Sequence, residues 1–98
     1  MKTRTQYMNH ECSHAEYYGQ FLTPAIVEAV KSRIGVDRIK QSEDEHFNDI
    51  PLAMWDAFLS HPAFQLHERL KGVGDGWSLS GVVCVAKTAA RKIKEQAN

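Results

Sequence analysis

The residues best spaced for chemistry lie near the start of the chain, in His10-Glu11-Cys12-Ser13-His14. On a helix, His10 and His14 would share one face at i and i+4. That arrangement brings two imidazoles to one metal ion, with Glu11 and Cys12 beside them. A third ligand would have to come from Asp44, His46 or His67. The run resembles a zincin motif only in the glutamate that follows the first histidine, and no apolar helix supports it. Solvated histidines are the simpler expectation, so no metal or other cofactor is expected.

A second group, Asp44-Glu45-His46-Phe47-Asn48-Asp49, gathers carboxylates around one imidazole. A general base oriented by an acid needs such a pair, but no nucleophile or oxyanion donor accompanies it. Asn48 or Asp49 reads instead as the cap of a helix entered at Pro51. From Ser42 to Ser60 the chain carries acidic residues and no basic one. Glu43, Asp44 and Glu45 are therefore the candidate edge of an acidic surface that docks a basic partner. Tyr17 and Tyr18 join them: adjacent on a helix, both cannot point inward, and exposed tyrosine is a common interface anchor. No catalytic residue is assigned, and the chain is not expected to be an enzyme.

Lys87, Arg91 and Lys94 are spaced by four and three, one stripe on a helix, expected to lie opposite the core and able to touch phosphates. Ser78, Ser80 and Gly81, the small residues on the same helix, are poor base readers. Nucleic-acid binding through this stripe is the alternative function. Gly72-Val73-Gly74-Asp75-Gly76 has the glycine density of a phosphate loop but neither its spacing nor its lysine, and reads as an interhelical hinge. Cys12 and Cys84, far apart in sequence, are expected to be free thiols, Cys84 a small packed side chain.

These groups need a scaffold, and the chain reads as one. Ninety-eight residues with 43% hydrophobic and 24% charged side chains suit a single folded domain over residues 1–98, with residues 1–10 expected to be flexible. A formal net charge of zero argues against bulk attraction to nucleic acid and against a wholly acidic DNA mimic. No run is long and apolar enough to span a membrane, and no secretion signal is evident, so a cytoplasmic location is expected.

The longest periodic stretch is Gly76 to Lys94. Its Leu79, Val82, Val83, Ala86, Ala89, Ala90 and Ile93 form the stripe of a core-facing helix. Ser78 or Ser80 is expected to cap it. Thr23 and Pro24 open a second helix with its buried face at Ile26, Val27, Val30 and Ile34. Gly35 is expected to close it in a left-handed turn, Val36 folding back on the last turn. A further turn follows over 36–41. Leu52, Trp55 and Leu59 mark a helix after Pro51, with Met54 and Phe58 beside them. Pro62 breaks it before a short helix from about 62 to 71. A short helix over roughly 11–18 precedes them all. The expected class is all-α, a compact bundle of four to five helices around a long C-terminal helix. Ala86, Ala89 and Ala90 would also admit close approach of a second copy, so a homodimer is an open expectation.

In size, and in its Asn48-Asp49-Ile50-Pro51-Leu52, Trp55-Asp56 and Gly76-Trp77-Ser78-Leu79-Ser80 stretches, the chain resembles the small orphan accessory proteins of phages and plasmids. The resemblance is one of type. It implies a non-enzymatic protein that occludes a partner, as inhibitors of host defence such as anti-CRISPR proteins do, and gives no residue a role. A protein-binding module is thus the expected function, with nucleic-acid and metal binding as alternatives.

Overall fold

The computed structural model describes residues 15–65 and 75–96. The described elements are all α-helices: α1 (Ala15–Gly19), α2 (Pro24–Ile34), α3 (Val36–Gln41), α4 (Leu52–Leu59), α5 (Pro62–Gln65) and α6 (Asp75–Gln96). No strand occurs among the described residues. The all-α expectation holds, and α6 is the hub: α1, α2, α3 and α4 all pack on it, while α2 also meets α4 and α5. His10, Cys12, His14, His67 and the 72–74 part of the hinge lie outside the described residues.

Local sequence explains the helix ends. The Thr23 hydroxyl accepts from the Ile26 amide at 3.2 Å, and Pro24 takes the first helical position, where a missing N–H is harmless. Gly35 ends α2 with its N–H donating to the Lys31 carbonyl at 2.9 Å. Its φ of 92° is positive as expected, but its ψ of 136° leads straight into α3. Val36 consequently does not fold back on α2; it is one of the exposed large apolar residues, at 37%. Pro51 precedes α4 with no side-chain cap. Asn48 and Asp49 are not helix caps, because tertiary partners hold both. After Pro62 the described helix ends at Gln65. His61 caps it, Nδ1 accepting from the Ala63 amide at 3.1 Å.

The core joins Ile26, Val30, Ile39, Trp55, Phe58 and Phe64 to the α6 stripe. Trp55, Phe58 and Phe64 stack in succession, with ring centroids 5.3 and 5.8 Å apart. Every residue of α6 from 81 to 90 is buried, so that length of helix is enclosed on all sides. Three expectations for α6 change. It begins at Asp75, which leaves Ser78 and Ser80 inside the helix rather than capping it. Ala86, Ala89 and Ala90 are fully buried within the chain and leave no face for a second copy. Cys84 is disulfide-bonded rather than a free thiol; Cys12 is the chain's only other cysteine. No described helix is long and apolar enough to cross a membrane.

Candidate functional site: an acidic loop clasped by the C-terminal helix

The acidic and basic groups singled out in the sequence meet. Between α3 and α4 the chain runs through a loop, residues 42–50, that lies along the rear half of α6. Its shape follows from Asp44. One carboxylate oxygen accepts from the His46 amide at 2.9 Å and the other from the Asn48 amide at 2.8 Å. The Asp44 carbonyl accepts from the Phe47 amide at 3.0 Å. This is the local bonding that makes aspartate a turn former. The turn carries Phe47 through the left-handed region, φ 58°, and inserts its ring into the core at 1% exposure. That conformation costs about 1–2 kcal/mol for a residue with a Cβ, and burying an aromatic ring more than offsets it.

Three cations of α6 hold this loop from behind. Lys87 Nζ donates to Asn48 Oδ1, Arg91 Nη2 lies 3.5 Å from the Glu45 carbonyl, and Lys94 Nζ donates to the Ser42 carbonyl. A fourth comes from α3. Arg38 Nη2 reaches the Asp49 carbonyl at 3.1 Å and its carboxylate at 3.4 Å, while Ser42 Oγ donates to the other Asp49 oxygen at 2.9 Å. The stripe of Lys87, Arg91 and Lys94 is therefore not opposite the core. Lys87 is fully buried, and Arg91 and Lys94 are half-buried. The reason is visible in the register. Lys87 follows Val83 by four residues and precedes Ala90 by three, which sets it on the enclosed face.

Lys87 is the unusual member. Its ammonium lies 6.0 Å from the centroid of the Trp55 ring, within cation–π range. Burial pulls its pKa down from 10.5 to about 8; Asp44 opposes that shift and Arg91 adds to it. The Trp55 indole Nε1 is buried with no hydrogen-bond partner among the described residues.

The remaining candidates sort by exposure. Glu43 and Glu45 point outward. Glu45 is 84% exposed at its side chain and pairs with His46 Nε2 at 3.4 Å. Asp44 is half-buried and bonds backbone amides rather than the His46 ring, so no acid–base dyad forms between them. Of the tyrosine pair, Tyr17 is 39% exposed and Tyr18 is buried, their rings edge to face at 5.1 Å. Burial, and then the neighbouring Tyr17, push the Tyr18 hydroxyl above its ordinary value. Two open clefts, about 370 and 320 Å³, share Arg91 and Glu95. Glu16 and Gly19 of α1 wall the first, and Glu45 and Phe47 the second. No cluster of three metal-ligating side chains occurs among the described residues.

What sequence reasoning missed was the pairing itself, together with Arg38 and Asn48 as members of it. The signal lay in the register of Lys87 against Val83 and Ala90. Comparison of the chain with protein-family models, with curated proteins and with solved structures found no match.

Proposed function

We propose that the chain is a non-enzymatic protein-binding module that docks a basic partner on the outer edge of loop 42–50. The observation that carries the reading is the division of labour within that loop. Its Ser42 and Glu45 carbonyls and the Asn48 side chain face Lys87, Arg91 and Lys94 of α6, Asp49 pairs with Arg38 at the surface, and the Glu43 and Glu45 side chains are left in solvent. A carboxylate pair on a backbone anchored at several points meets a partner with little further ordering cost, which favours binding. Tyr17, 39% exposed on α1, which packs on α6, supplies an aromatic anchor.

Nucleic-acid binding gains nothing from this geometry, since the three α6 cations engage the loop. The resemblance to phage and plasmid accessory proteins supplies the particular candidate, an inhibitor that occludes a host defence complex. The cytoplasmic location such a role implies stands against the bonded state of Cys84, because disulfides persist in oxidising surroundings.

The test is capture of a partner from the native host by the wild type, by the double variant Glu43→Lys/Glu45→Lys, and by Lys31→Glu on α2 as a charge-change control. Capture retained by the control and lost by the double variant supports the proposal. Undiminished capture by the double variant removes the acidic edge from the account. A salt-sensitive gel shift with DNA or RNA, abolished by charge reversal at Lys92 and Lys94, would replace it with the nucleic-acid reading.

A further inference from the structure

The larger cleft beside α6 holds an unmatched set of charges. About 370 Å³ between α1 and the last turns of α6 is lined by Glu16 and Gly19 on one side and by Thr88, Arg91, Lys92 and Glu95 on the other. The lining thus carries two cations and two carboxylates, yet among the described residues none of the four forms an ion pair. Arg91 and Glu95, four apart on one helix, are spaced to close on each other. Arg91 is drawn the other way, toward the Glu45 carbonyl at 3.5 Å, which leaves Glu95 unmatched. Lys92 is exposed, and its stem lies along α1, with Cε 3.9 Å from where a Cβ on Gly19 would sit. The inner wall is polar too. Thr88 is 2% exposed, and its hydroxyl donates to the Cys84 carbonyl at 2.7 Å. That bond uses its one proton, so to anything else it offers only lone pairs.

Open charges of both signs in one small cleft select among ligands. A simple anion meets Arg91 and Lys92 but is repelled by Glu16 and Glu95, and a simple cation meets the reverse. We propose that this cleft binds a small zwitterion of the α-amino acid class, its carboxylate on Arg91 and Lys92 and its ammonium between Glu16 and Glu95. A guanidinium meets a carboxylate through two parallel bonds, and the single long contact to the Glu45 carbonyl leaves Arg91 donors for them. The ammonium brings three donors, and the Thr88 hydroxyl only accepts, so the amine end rather than the carboxylate is seated on the inner wall. The volume agrees. About 370 Å³ lies at the small end of ligand pockets, roughly 300–1,000 Å³, and suits an amino acid better than a larger molecule. The site goes beyond the docking reading, since the Glu43 and Glu45 side chains take no part in it.

The test is an NMR titration of isotope-labelled protein with the common L-amino acids one at a time, following the amides of residues 16–19 and 88–95. Each is added to about 20 mM, enough to detect a millimolar dissociation constant. At least one amino acid is expected to shift these amides saturably. Acetylating its amine or amidating its carboxylate removes one of the two charges and weakens binding about tenfold or more. Glu16→Gln and Arg91→Gln each abolish saturation while the rest of the spectrum is unchanged, and Glu28→Gln on α2 binds as the wild type does. Lys92→Gln replaces Arg91→Gln if that variant does not fold. No saturable shift with any amino acid overturns the site. So does equal binding of the acetylated or amidated form, or wild-type affinity in Glu16→Gln. The Glu43→Lys/Glu45→Lys variant keeps amino-acid binding, so docking and this site fail separately.

Discussion

Replacing Lys87 by methionine is the perturbation whose outcome the structure specifies most tightly. Methionine matches the length of the lysine stem and fits an apolar enclosure beside Trp55. The pKa of Lys87 falls from 10.5 to about 8 in the folded chain. At about 1.4 kcal/mol per pH unit, the folded state disfavours the ammonium over the neutral amine by roughly 3 kcal/mol. Removing the charge recovers that amount. Losing the amine's bond to Asn48 and its further contacts offsets part of that, at about 0.5–1.5 kcal/mol per hydrogen bond beyond the charge-dependent part already counted, and half-buried Asn48 keeps access to water. At pH 7, Lys87→Met is therefore as stable as the wild type or more so, by up to about 1–2 kcal/mol. The dependence on pH has a definite sign. The folded pKa lies below the unfolded one, so between about pH 8 and 10.5 the unfolded chain holds more protons and wild-type stability rises with pH. Relative to Lys87→Met, the wild type gains roughly 2–3 kcal/mol from pH 7 to 10; groups that titrate alike in both chains cancel. Urea unfolding of both proteins across that range measures the difference. A loss of about 3 kcal/mol or more in Lys87→Met at pH 7, the cost of breaking a favourable buried pair, would refute the reasoning. So would a difference that is flat or falls with pH.

Two further outcomes follow from the loop and the core. Phe47→Ala removes a buried ring and costs about 3–5 kcal/mol in urea unfolding; Phe47→Gly is the more stable of the two by up to about 1 kcal/mol, because glycine accepts the positive φ. Protein purified without reductant carries no titratable thiol and has the mass deficit of two hydrogens, while Cys84→Ala lowers stability by roughly 2–4 kcal/mol. Two free thiols in the native protein would contradict the bonded state of Cys84.

Much of the scaffold was legible in the sequence because it is local. Thr23 before Pro24 marks the start of α2 through a hydroxyl that reaches three residues ahead. Gly35 ends it because only glycine takes that φ cheaply. The period of Val82, Val83, Ala86, Ala89 and Ile93 identifies the hub. The site was legible in its parts and misread in its arrangement. Counting lysine as polar placed Lys87 outside, although its register against Val83 and Ala90 put it within. Asn48 and Asp49 before Pro51 look like a cap because capping and tertiary bonding use the same side-chain oxygens. That they serve Lys87 and Arg38 depends on the chain path of α3 and the loop, which no local pattern carries. Gly35 shows the same limit: its positive φ was readable, while its ψ is set by where α3 must go.

The central claim, that the C-terminal helix holds the acidic loop through a buried lysine, is tested most directly by the titration of Lys87 itself. In protein labelled at lysine Cε, the Lys87 resonance is identified by its absence from the Lys87→Met spectrum and followed from pH 6 to 11. A midpoint near 8 is expected. A midpoint at or above the ordinary lysine value, about 10.4, would place the ammonium in water or in a strong ion pair and contradict the account.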